Sequence, residues 1–208
     1  MRKILLLCAA LLCQYVSAFA RAVEVTSLPT ALSVPGGVAV IETAMSASEG
    51  FYRNEKIMLV DFQGAQYAVI GIPLNAALGE HSMLLQTADG NRITRYFTVE
   101  DKHYVEQRLT ITNERQVNPN NDDMVRINRE SAEMNKAFSS WDETLQPVFS
   151  MRSPVDGVRS SSFGLKRFFN EQPRAPHTGM DIAAAEGTPI YAPAPGVVRA
   201  TGEYFFNG

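Results

Sequence analysis

The chain contains only three histidines, and one of them, His177, stands four residues before a carboxylate in Pro176-His177-Thr178-Gly179-Met180-Asp181. An imidazole nitrogen and an aspartate oxygen are both good zinc ligands, at metal distances of roughly 2.0 to 2.2 Å. On a helix this spacing would set both side chains on one face. Pro176 and Gly179 argue against a helix, and a loop entering a strand through Ile182-Ala183-Ala184 fits better. Taken alone, the spacing is a weak signal that more often marks a hydrogen-bonded surface pair, so its meaning depends on what surrounds it. His81 and His103 fall in a strand-rich region and read as ordinary surface or turn histidines.

The elements that must position this pair change character along the chain. From residue 24 to about 115 the pattern is of short strands and turns. Val38-Ala39-Val40-Ile41 follows Pro35-Gly36-Gly37, and Ile57-Met58-Leu59-Val60 and Ala68-Val69-Ile70 flank a turn around Gln63-Gly64-Ala65-Gln66. His81 to Thr87 and Ile93 to Val99 flank Asp89-Gly90-Asn91, a strong hairpin signal. Strands at this spacing predict an antiparallel, sandwich-like sheet domain. After Asn118-Pro119-Asn120-Asn121, the acidic pair Asp122 and Asp123 suits a helix N-terminus. Met124, Ile127, Met134, Phe138 and Trp141 then recur at helical spacing. One amphipathic helix over about 121–142 is expected, its apolar stripe a packing face docked between two domains. From Phe149 onward Gly and Pro are frequent, and short strands joined by tight turns are expected as far as Tyr204-Phe205-Phe206. The fold class is therefore mainly β, divided as 1–20, 21–115, 116–148 and 149–208.

At 208 residues, 45% apolar and 20% charged, the chain can bury a core, which sets aside disorder and low-complexity architectures. A net charge of −3 gives no strongly basic balance and so no call for nucleic acid. Arg2 and Lys3, the ten-residue apolar stretch Ile4 to Cys13, and Ala18-Phe19-Ala20 together read as a secretory signal. The stretch is too short to span a bilayer. A lipoprotein reading is weaker, since Leu12 precedes Cys13 where a small residue is expected. Cleavage after Ala20 would remove two cations, taking −3 to −5, and both cysteines, Cys8 and Cys13. The exported chain would then rely on packing or metal rather than disulfides, with no stable membrane insertion after cleavage.

Four runs occur in order: Arg152-Ser153-Pro154-Val155-Asp156-Gly157; Ser161-Ser162-Phe163-Gly164; Pro176 to Ala183; and Gly187-Thr188-Pro189-Ile190-Tyr191-Ala192-Pro193 continuing to Val198. Together they resemble the lysostaphin and LytM type of zinc endopeptidase over about 150–208. Leu32-Ser33-Val34-Pro35-Gly36-Gly37 and Gly71-Ile72-Pro73-Leu74 look like the β domain that often precedes this peptidase in exported bacterial proteins. The resemblance implies a hydrolase of peptidoglycan stem peptides or cross-links, acting in the periplasm or elsewhere in the cell envelope. It implies zinc as cofactor, with His177 and Asp181 as two ligands and the third drawn from a later H-x-H motif whose first histidine helps activate water. Zinc would polarise the scissile carbonyl and acidify water, and a neighbouring histidine could move the proton.

The chain departs from that pattern in one respect: no histidine follows His177. A C-terminally truncated, inactive fragment with an incomplete LytM-like β domain is therefore expected, with no catalytic residue of its own and weak zinc binding. A non-catalytic LytM-like protein that binds and activates another wall hydrolase is the alternative. Between Met151 and Ala175 five cations face two acids, a local +3. This is either a solvated loop or a basic rim able to hold stem-peptide carboxylates. Arg167 and Asn170 are the substrate-contact candidates there. Phe163, Phe168 and Phe169 read as packing residues.

Overall fold

The structure, a computed structural model, describes residues 25–145 and 147–207; the expected signal segment lies outside them. Seven strands build the first half: β1 (Val38–Glu42), β2 (Glu49–Tyr52), β3 (Glu55–Lys56), β4 (Met58–Phe62), β5 (Ala65–Gly71), β6 (Gly79–Gln86) and β7 (Arg92–Val99). They form two antiparallel sheets, ordered β1-β5-β4 and β3-β2-β6-β7. The hairpin expected at Asp89-Gly90-Asn91 is present, with eight residue pairs between β6 and β7. The turn at Gln63-Gly64 also forms, both residues at positive φ, the backbone that a two-residue hairpin with native twist requires.

Alternation along these strands sends one face of each sheet into a common core. Ala39, Ala68 and Ile70 from the first sheet meet Tyr52, Met83, Leu85 and Val99 from the second. Ile70 and Leu85 are wholly excluded from solvent, and each such side chain contributes about 1.5–3 kcal/mol. The sandwich-like reading of this half therefore describes the fold.

Past residue 100 the chain crosses over. β8 (Glu106–Leu109) leads to α1 (Glu114–Val117) and α2 (Asn121–Phe138). The remaining strands are β9 (Val158–Ser161), β10 (Lys166–Phe169), β11 (Gln172–Pro173) and β12 (Asp181–Ala183). They form two small sheets, β11-β10-β8 and β12-β9. The β8–β10 pairing is parallel, so a strand expected to belong with the first domain lies in a sheet with the segment after Phe149.

Two expectations are corrected. The helix ends at Phe138, four residues short of 142, and its apolar stripe is only partly covered: Ile127 and Met134 are half-buried, whereas Phe138 is 84% exposed and Met124 and Trp141 are also exposed. The buried side chains of α2 are the acidic Asp123 and Glu130. Asp123 completes a reciprocal cap with Asn120 and pairs with Arg115. Glu130 accepts from Arg126 Nε (2.5 Å) and from the Phe205 N–H (2.7 Å). The helix thus holds the 203–206 segment through hydrogen bonds between charged side chains and the Phe205 N–H, the Glu203 carbonyl and the Tyr204 hydroxyl. The strands expected around Ile190 and Val197-Val198 are also absent; those residues are exposed coil. A strand needs a neighbour to satisfy its backbone; around Ile190 the 152–154 segment supplies only two such bonds, Tyr191 N–H to Pro154 O (2.8 Å) and Arg152 N–H to Pro193 O (3.2 Å).

Candidate metal centre

β9 and β12 pair antiparallel with Ser161 opposite Asp181, and the register shifts between Asp181 and Ile182. Such an irregularity re-aims a side chain. His177 arrives on the preceding loop, which is fastened at both backbone groups. Its carbonyl accepts from Gly164 N–H (2.7 Å) and its N–H donates to Leu165 O (3.0 Å). Gly164 stands at φ +89°, and a Cβ there would collide with the Tyr104 ring. The loop therefore depends on glycine at this point.

The imidazole is 8% exposed and its two nitrogens have different partners. Nδ1 lies 2.9 Å from Ser162 O and 3.0 Å from Ser161 Oγ. A carbonyl can only accept, so Nδ1 carries the hydrogen. In the neutral ring Nε2 then keeps its lone pair, the arrangement a metal-ligating histidine needs. Nε2 lies 3.3 Å from Asp181 Oδ1. Two donors each about 2.1 Å from one tetrahedral cation would stand ~3.4 Å apart, so the pair fits a shared zinc ion. Asp181 is half exposed, which leaves that position open to solvent.

Arg167 joins the pair. Its Nη2 donates to Asp181 Oδ2 (3.3 Å) and to Ser161 Oγ (3.2 Å), and its Nε to Gln107 Oε1 (3.2 Å). Asn170 is not brought to the pair. At φ +48° it opens the turn between β10 and β11. Its amide accepts from Ile111 N–H (2.8 Å) and donates to Ile111 O (3.0 Å). Sequence reasoning assigned no role to Ser161, although it lies within a motif, and none to Gln107, which carries no local signal. His81 has both ring nitrogens engaged, with Tyr52 Oη (2.6 Å) and Ala77 O (2.9 Å). His103 is exposed. No group of three metal-ligating side chains occurs among the described residues.

The sequence profile of the peptidase family M23 N-terminal domain matches residues 31–102, the two-sheet half. A crystal structure described as that of a candidate M23 peptidase from Pseudomonas aeruginosa is 33% identical, covering 85% of this chain with a TM-score of 0.66. The chain belongs to the M23 peptidase family. This is the LytM-type family its motifs resemble. The chain spans 66% of the length of that M23 structure. A Bacteroides ovatus protein of a mixed-linkage glucan utilization locus is similar at 20% identity over 42% of this chain and 24% of its own. Its TM-score of 0.27 is too low to bear on the M23 fold. No curated protein sequence matches the chain. Among the described residues no helix is long and apolar enough to cross a membrane.

Proposed function

We propose that the chain is the N-terminal part of an exported zinc endopeptidase that hydrolyses peptide bonds of bacterial peptidoglycan. The observation that carries this reading is the 3.3 Å approach of His177 Nε2 to Asp181 Oδ1, with Nδ1 tied to a carbonyl. His177 and Asp181 are the residues that would hold zinc, which when bound would polarise the scissile carbonyl and acidify water. The chain's own contribution is to fix the imidazole tautomer through Ser162 and Ser161, to hold Asp181 through Arg167, and to leave one side of the pair open. The remaining guanidinium nitrogen of Arg167, Nη1, is the group available to a stem-peptide carboxylate. Asn170, whose amide is occupied by Ile111, supports that site from the hairpin rather than from the substrate side.

Catalytic zinc sites use three protein ligands, and among the described residues only His177 and Asp181 come together as candidates. The chain is therefore expected to bind zinc weakly and to release no muropeptide from purified peptidoglycan above the level of His177→Ala. Calorimetric zinc titration of the chain, His177→Ala and Asp181→Ala tests the ligand assignment. Binding is expected in the first and lost in both variants, and equal binding in all three would refute the assignment. The alternative is a non-catalytic activator of another wall hydrolase. That reading expects a hydrolase partner's rate to rise on adding the chain, equally with wild type and His177→Ala.

A further inference from the structure

We propose that Gln107 is a positioning residue for the metal pair, acting through Arg167; this rests on the reading of His177 and Asp181 as ligands. Parallel pairing of β8 with β10 sets Gln107 opposite Arg167, sixty residues apart in sequence. Gln107 Oε1 takes the Nε–H of the guanidinium. That bond turns the far end of the fork toward the site, where a single nitrogen, Nη2, bonds both Asp181 Oδ2 and Ser161 Oγ. Ser161 Oγ in turn lies 3.0 Å from His177 Nδ1. His177, Ser161, Arg167 and Asp181 therefore close a ring of contacts, and Gln107 fastens that ring to β8.

The value of the arrangement lies in aim rather than in strength. Asp181 is 53% exposed, and exposed ion pairs contribute little. A half-exposed carboxylate is free to rotate unless one oxygen is held. With Oδ2 held by Arg167, Oδ1 faces Nε2. Charge alone predicts the opposite role for Arg167, since a guanidinium beside a bound cation repels it. Gln107 is neutral, so its removal alters the aim and leaves the charge of the site intact.

Co2+, a spectroscopic stand-in for zinc, is titrated into the 208-residue chain and followed by its visible bands and by paramagnetic loss of the His177 ring signals. Gln107→Leu is expected to weaken Co2+ binding about tenfold, the lower end of what outer ligand partners contribute, and to change the visible bands. Gln107→Glu, which still accepts from Nε, restores both. Arg167→Lys keeps the charge, loses the fork and weakens binding, and it decides the matter should Gln107→Leu fail to fold. The proposal is overturned if Gln107→Leu, or in its place Arg167→Lys, binds within about twofold of wild type. Tighter binding by Arg167→Gln also overturns it, because charge then dominates. In both cases the ligand reading survives, provided His177→Ala abolishes binding. A wild-type chain whose His177 signals never respond to Co2+ overturns the ligand reading and the positioning role together.

Discussion

The two halves of the molecule are held together by different physics. Between β1 and β7, eleven buried residues form one apolar cluster shared by two sheets. From Phe149 onward no large apolar side chain is buried among the described residues, and Val158, Ile190 and Val198 are each more than 70% exposed. The buried side chains there are Ser161 and His177, both polar and both hydrogen-bonded to each other. The first half is a core that needs no site, whereas the second is a site that borrows its frame. β8 supplies the neighbouring strand, Ile111 receives Asn170, and Tyr104 lies against Gly164 while donating to Pro35 O (2.8 Å). The residues between the two halves therefore belong to the candidate metal centre as much as to the sandwich.

That contrast can be broken by mutation. Leu85→Ala should destabilise the sandwich by about 3 kcal/mol, while Val198→Ala, at an exposed position, should stay within ~0.5 kcal/mol. Urea unfolding of both variants checks this, and similar losses would erase the distinction. Gly164→Ala combines a left-handed backbone with collision against Tyr104. A cost on the order of 1–3 kcal/mol is expected, with faster amide exchange at 104–111 and 161–177 and little change in β6 and β7. Tyr104→Phe removes only the hydroxyl bond to Pro35 and should cost about 1 kcal/mol, read from the same unfolding curves.

The smallest effect concerns α2. The Arg115 guanidinium, with help from the Asn120 N–H, holds the Asp123 carboxyl below its usual value. A depressed carboxylate stabilises above its unfolded value of about 3.9 and loses that contribution as pH falls through the folded value. Helical circular dichroism should therefore decline below about pH 4, and less so in Asp123→Asn. An identical acid profile in the variant would remove Asp123 as the cause.

Much of the sandwich was legible because alternation and turn residues are local. Gly64 and Gly90 mark their hairpins in sequence as clearly as in space. The β2–β3 hairpin turns at Arg53-Asn54, both at positive φ, with no glycine in the turn, and gave no signal. The stripe on α2 misled because periodicity reports which face is apolar without reporting what covers it. The strands expected near Val198 failed for a related reason, since β propensity is realised only beside a partner.

From residue types and spacing followed the mainly β class and the nearness of an imidazole to a carboxylate, while the family followed from the resemblance of the motifs around them. The tertiary structure decided which imidazole nitrogen is free, that Arg167 faces Asp181 while Asn170 turns to Ile111, and that Gln107 reaches the site at all. Donor and acceptor types are properties of single residues and can be read one at a time. Their aim depends on a parallel register between strands about sixty residues apart, and strand pairing at that distance is settled by the folding of the whole chain.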